Sequence, residues 1–160
     1  MFTVADIRDI AIQIEKNGEE AYRRAGEEAE DSALAEIFFY MADEEKKHRQ
    51  WFESIKIDKV LSEEELALEE MGRQLLKEMI AGQTFTMDET SLSKVDSFRE
   101  MVKQSQVFEK DTVLFYEFLK GIIDDAQVEK QLDQIIEEEQ KHFAQLARMI
   151  DTANGESVTV

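Results

Sequence analysis

Leu34-Ala35-Glu36-Ile37-Phe38-Phe39-Tyr40-Met41-Ala42-Asp43-Glu44-Glu45-Lys46-Lys47-His48-Arg49-Gln50-Trp51-Phe52-Glu53-Ser54-Ile55 is the stretch that decides how this chain reads. Its apolar residues Leu34, Phe38, Met41, Phe52 and Ile55 follow steps of four and three, which place them on one face of an α-helix. The same steps pass through 45 and 48, so Glu45 and His48 occupy seam positions and point inward. Asp31-Ser32 offers the cap at its start. Taking an ionised carboxylate out of water is costly unless something positive sits beside it, so an inward Glu-x-x-His step demands a partner.

Outward from that stretch, the pattern recurs. Glu139 and His142 form a second Glu-x-x-His step in a seam through Val128, Leu132, Ile135, Leu146 and Met149. Thirty residues before each step stands a glutamate with a tyrosine seven residues after it: Glu15 with Tyr22, and Glu109 with Tyr116. The differences 109−15, 116−22, 139−45 and 142−48 all equal 94, and the chain's two histidines are both used. One Glu-x-x-His in so acidic a chain says little. Two of them at a shared offset, each with an upstream glutamate, form the ligand set of dinuclear carboxylate bundles. The bland alternative, histidines satisfied by nearby glutamates, does not account for the offset.

Glu109 and Tyr116 share a stripe with Val95, Phe98, Val102 and Leu119, so Glu109 is expected to be buried. Glu15 lies on a row with Val4, Arg8, Ala11, Gly18, Tyr22 and Ala25, and because Arg8 breaks that row, a solvent-facing Glu15 stays open. Two divalent cations would cancel four carboxylates completely, whereas two imidazoliums would cancel only part. Residues three apart on a helix can reach one ion, and carboxylate with imidazole suits iron, manganese or zinc. Tyr22 and Tyr116 stand two turns beyond their own helix's glutamate, so each is expected to hydrogen-bond a carboxylate of a neighbouring helix.

Composition agrees. With 160 residues, no proline, six glycines and an abundance of Ala, Glu, Leu, Lys and Gln, the chain is expected to be all-α with one core. Its 37 acidic against 19 basic residues give a net charge of −18, which disfavours nucleic acid and anionic membrane surfaces as partners. The absence of cysteine excludes disulfides, zinc thiolate sites and iron–sulfur clusters. Met1-Phe2-Thr3-Val4-Ala5-Asp6 lacks the basic start and apolar core of a secretory leader, and no run approaches a membrane span, so a cytoplasmic location is expected.

The helices are expected over about 3–28, from a start at Thr3 and Asp6, and about 32–55. A third and fourth should span about 94–120, ending at Gly121, and from a cap at Asp124 or Asp125 to just before Gly155. The crossover of 56–93 should carry an extra helix over about 62–81, opened by the capping box of Ser62 and Glu65, and then a loop over 82–93. This gives one domain over 1–155, built from helix pairs 3–55 and 94–153, and a flexible tail over 156–160.

At these residues the chain resembles the rubrerythrin-type di-iron domain of the ferritin-like superfamily. Ala11-Ile12-Gln13-Ile14-Glu15-Lys16-Asn17-Gly18-Glu19-Glu20-Ala21-Tyr22 is similar to that family's first-helix motif, and Met41-Ala42-Asp43-Glu44-Glu45-Lys46-Lys47-His48 to its second. Val107-Phe108-Glu109 through Phe115-Tyr116, and Ile135-Ile136-Glu137-Glu138-Glu139-Gln140-Lys141-His142, resemble the third and fourth. The resemblance implies a ferritin-like four-helix bundle, with Glu45 and Glu139 bridging two irons, Glu15 and Glu109 as terminal ligands, and His48 and His142 each on one iron. It implies reduction of hydrogen peroxide or oxygen with oxidation of ferrous iron, and a homodimer. The four-cysteine rubredoxin-like domain of full rubrerythrins is missing, so an external electron donor protein is expected, and Thr112 stands where those proteins carry a further glutamate.

Two other functions compete with this one. Iron storage or detoxification, as in bacterioferritin, would need a hollow multi-subunit shell. A metal that merely staples a helical interaction module would need no oxidant reactivity, with Met71, Met79 and Met87 lining a docking surface. Phe38, Phe108 and Phe115 are expected to wall the site with apolar surface.

Overall fold

The computed structural model describes residues 3–56, 62, 63, 65–67, 70–75, 77 and 94–153. Four long helices account for most of them: α1 (Val4–Glu28), α2 (Ser32–Ser54), α3 (Lys94–Ile122) and α4 (Ala126–Ala153). Contacts divide the chain into two compact units, 1–76 and 77–160. The first contains the α1/α2 hairpin and the second the α3/α4 hairpin.

Local chemistry sets the ends of α1 and α2. The Thr3 backbone N–H donates to Asp6 Oδ2 at 2.6 Å and the Asp6 N–H donates to the Thr3 carbonyl at 3.0 Å, so two of the exposed groups at the start of α1 are satisfied. Asp31 accepts from the Ala33 N–H at 3.0 Å and closes the start of α2. At the other end of α2, Arg8 Nη1 donates to the Ile55 carbonyl at 2.9 Å. Arg8 therefore breaks the apolar row of α1 because it binds a carbonyl at the end of α2, and the row is still a packing row. The loop between α1 and α2 is short, and close packing follows it: a Cβ on Gly26 would stand 2.8 Å from Cε1 of Phe39.

Buried residues of α1 include Val4, Ile7, Ile10, Ala11 and Ile14, and those of α2 include Phe38, Met41, Ala42 and Phe52. In the second unit Val102, Phe115, Tyr116 and Leu119 of α3 are buried, as are Leu132, Ile135, Ile136, Leu146 and Met149 of α4. Phe38, Met41, Phe52, Val102, Leu119, Leu132, Ile135, Leu146 and Met149 of the expected seams are among them, whereas Leu34, Ile55 and Val128, at or near helix ends, are only half-buried. Asp125 caps α4 by accepting from the N–H groups of Gln127 at 2.9 Å and Val128 at 3.3 Å, which decides between the two candidate aspartates. One boundary differs: α3 does not stop before Gly121 but runs through it to Ile122. Gly121 is exposed, so no packing forces the chain to turn there, and a lone glycine weakens a helix without ending it.

After α2, within the first unit, the Ser62 N–H donates to Glu65 Oε1 at 3.0 Å and the Glu65 N–H donates to Ser62 Oγ at 3.3 Å, the reciprocal pair of a capping box. Residues 66, 67, 70–75 and 77 that follow it are helical, as expected for the extra helix. Met79, Met87, the loop over 82–93, Gly155 and the tail over 156–160 lie outside the described residues.

Candidate metal centre

In the α1/α2 unit, Glu15 is 0% exposed, Glu45 4% and His48 3%, which removes the solvent-facing alternative for Glu15. Each offers a ligand atom, and these atoms lie within 4.8 Å of one another. His48 Nδ1 stands 3.5 Å from Glu15 Oε2. Glu45 and His48 meet one turn apart on α2, and the small residue Gly18 lets Glu45 lie against α1. A Cβ at position 18 would be 3.3 Å from Glu45 Oε2 and 3.5 Å from its Cδ.

Around this triad the two helices are clamped by charge. Arg49, next in sequence to His48, donates to Glu19 of α1 at 3.0 Å and to Glu53 at 3.2 Å. Arg23 reaches Glu19 at 3.3 Å and Asp43 of α2 at 3.4 Å. The clamp sets the register that places Glu15 beside His48. Its pattern, five charged residues scattered among many others, gave no separate signal in so acidic a sequence.

The α3/α4 unit repeats the arrangement. Glu109 is 5% exposed, Glu139 1% and His142 3%, and their ligand atoms also fall within 4.8 Å of one another. His142 Nδ1 lies 3.3 Å from Glu139 Oε2 and 3.6 Å from Glu109 Oε1. Burial, and then the negative charge of Glu139, push the Glu109 carboxyl up to about 8, while the His142 imidazole pulls it down. At neutral pH and without a cation, Glu109 therefore keeps its proton.

Tyr22 and Tyr116 are buried on the same helix faces as their glutamates, 4% and 0% exposed. Tyr22 stacks on Phe38 of α2 with ring centroids 6.3 Å apart, and Tyr116 packs beside Phe115 at 5.9 Å. Phe38 and Phe115 are fully buried, whereas Phe108 is only half-buried and contributes less of an apolar wall than expected. Thr112, one turn beyond Glu109, is buried and neutral.

All six Glu and His side chains expected as ligands are thus buried, and each unit gathers its own three into a group able to hold a metal ion. The donor chemistry fits a divalent cation: two carboxylates and one imidazole per triad, with two negative charges to be balanced by one ion. No helix among the described residues is long and apolar enough to cross a membrane.

Compared with curated proteins and with solved structures, the chain has no match. A family model described as Rubrerythrin matches residues 6–150, across both helix pairs and both triads. The fold class is therefore all-α and of the ferritin-like bundle kind. By this match over most of its length, the chain belongs to the rubrerythrin family.

Proposed function

We propose that the two triads serve one dinuclear iron centre and that the protein is a di-iron oxidoreductase, reducing hydrogen peroxide or oxygen as ferrous iron is oxidised, with electrons from a separate donor protein. The observation that carries this reading is the pair of buried Glu/Glu/His triads at a constant offset of 94 in a rubrerythrin-family chain. Glu15, Glu45 and His48 would hold one ion, and Glu109, Glu139 and His142 the other, with Glu45 and Glu139 as the carboxylates shared between them. Iron held there supplies one-electron steps between its ferrous and ferric states.

The chain's own residues do the rest. Glu109, whose carboxyl is pushed up to about 8 by burial and by Glu139, would give up that proton to serve as a ligand, since a cation would supply the positive charge the proton had supplied. His48 and His142, each one turn from a glutamate of the same helix, would each present an imidazole nitrogen to the ion held by their own triad. Phe38 and Phe115, fully buried against Tyr22 and Tyr116 of the glutamate-bearing faces, would help to keep water from the carboxylates and so strengthen charge interactions there. With Thr112 after Glu109, the second triad keeps two carboxylates and gains no third from that turn.

Loading with ferrous iron without air, followed by rapid mixing with hydrogen peroxide or oxygen, tests the reading. The optical signature of ferric formation should develop rapidly in the parent protein and slowly in Glu45→Ala. Equal rates in both would remove it.

A further inference from the structure

We propose that Thr112 binds the oxidant at the α3/α4 triad, its hydroxyl donating to the Glu139 carboxylate and accepting from an O–H of hydrogen peroxide. The inference rests on the di-iron reading given above. Residues 109, 112 and 116 follow steps of three and four, so Thr112 lies on the inward row of α3 between Glu109 and Tyr116, and it is 6% exposed.

The internal repeat shows what this position meets. At the offset of 94, Thr112 corresponds to Gly18 and Glu139 to Glu45. A Cβ on Gly18 would stand 3.3 Å from Glu45 Oε2 and 3.5 Å from both its Cδ and its Cγ. The position therefore borders the carboxylate that the reading gives to both ions. On that border α1 places no side chain, and α3 places one that carries a hydroxyl. The two triads, alike in their ligands, differ here.

Filling space does not account for a threonine. A β-branched side chain loses freedom in a helix, and a buried hydroxyl is costly unless it is hydrogen-bonded, whereas valine fills the same volume without that cost. Ser105, on the same row of α3, shows the local use of such a group: it donates to the Met101 carbonyl four residues back, at 2.9 Å. At position 112 the neighbouring carboxylates of Glu109 and Glu139 can only accept once they are ionised. A hydroxyl has one hydrogen and two lone pairs, so with its hydrogen given to Glu139 it still accepts from a donor. Hydrogen peroxide brings such a donor and dioxygen brings none. Thr112 thus acts on one oxidant and is indifferent to the other.

Rapid mixing of ferrous-loaded protein with hydrogen peroxide, and separately with oxygen, tests the proposal. Thr112→Val should slow the peroxide reaction about tenfold, the effect of one hydrogen bond, and leave the oxygen reaction unchanged, while Thr112→Ser should recover the peroxide rate. Zinc-loaded protein, in which the ion has no redox chemistry, gives a second readout. Its calorimetric titration with hydrogen peroxide should show binding weakened by the same factor in Thr112→Val and restored in Thr112→Ser. If Thr112→Val slows both oxidants alike or neither, or if Thr112→Ser recovers nothing, the hydroxyl serves the Phe108 carbonyl as Ser105 serves that of Met101, and the inference is overturned while the di-iron reading stands. A parent protein inert to both oxidants would overturn that reading, and this inference with it.

Discussion

A Cβ on residue 18 would stand 3.3 Å from Oε2 of Glu45, so Gly18 provides the space in which that carboxylate lies. Glycine in a helix interior costs about 0.8–1.0 kcal/mol relative to alanine, and Gly18 is in the middle of the 25-residue α1. Without metal, Glu45 is a flexible side chain that can give way. Gly18→Ala should then stabilise the metal-free protein by up to about 1 kcal/mol. With metal bound the carboxylate is held in place and cannot yield, so the same variant should bind metal more weakly. Thermal unfolding with and without ferrous or cobaltous ion checks both signs, and a larger metal-induced increment in the variant would refute the role given to Gly18.

Glu109 predicts the pH behaviour of the metal-free protein. Its carboxyl titrates near 8 in the fold against an ordinary value of 4.5, so the folded state holds a proton that the unfolded chain has lost between those values. This contribution to stability is fully present below about 4.5, declines as pH rises, and is gone above about 8. Denaturant midpoints of metal-free protein should therefore fall between pH 5.5 and pH 8 on the order of the effect of one proton. Metal affinity should rise over the same interval by about tenfold per pH unit, since binding expels that proton. A stability that is flat with pH in the metal-free protein, or that rises, would show that Glu109 is ionised.

Glu139 acts on Glu109 as a like charge, and its removal separates stability from metal binding. Glu139→Gln takes away a buried negative charge, so the Glu109 titration should move toward lower pH and the metal-free protein should gain about 1 kcal/mol at neutral pH. Metal affinity should fall at least about tenfold, because even groups that only support a ligand cost that much. Carbon-detected NMR titration of the carboxyl groups reads the first effect and calorimetric metal titration the second. A variant that loses stability and keeps its metal affinity would contradict the assignment of Glu139.

The seams of α2 and α4 were legible because four-and-three spacing places Phe38, Met41 and Phe52, or Leu132, Leu146 and Met149, on one face, and the chain's two histidines fall in the same register. Glu15 was harder, since Arg8 interrupts its row. The structure shows the row to be buried at Val4, Ala11, Glu15 and Tyr22, and the hydrogen bond from Arg8 to the Ile55 carbonyl, between residues 47 apart in sequence, explains why a charged residue interrupts it. Gly18 could be read as a sign of close packing, but not that the atom it admits is an oxygen of Glu45. The polar clamp of Glu19, Arg23 and Arg49 and the exposed apolar residues Val107, Leu114 and Phe118 of α3 were invisible for opposite reasons. The first is hidden by the abundance of charge, and the second by the stronger buried periodicity of the same helix. Helix ends followed their caps where a side chain was available, at Asp31, Ser62 and Asp125. The end of α3, with Gly121 in open space, had no such constraint.

His48 and His142 belong to separate triads, so their removal should be separable as well. Each His→Ala change leaves two carboxylates of its own triad and the whole of the other, which predicts loss of tight binding for one ion and retention of one. The fall in affinity at the altered position should be at least about tenfold, with the remaining ion little affected. Because both imidazoles are buried, the cavity each leaves should also cost the metal-free protein on the order of 1 kcal/mol. Metal analysis after dialysis against a moderate chelator counts the ions: two per chain in the parent, one in His48→Ala, one in His142→Ala and none when both are changed. Loss of both ions from either single variant would mean that neither triad holds metal by itself. Two ions retained in either would remove that histidine from the centre.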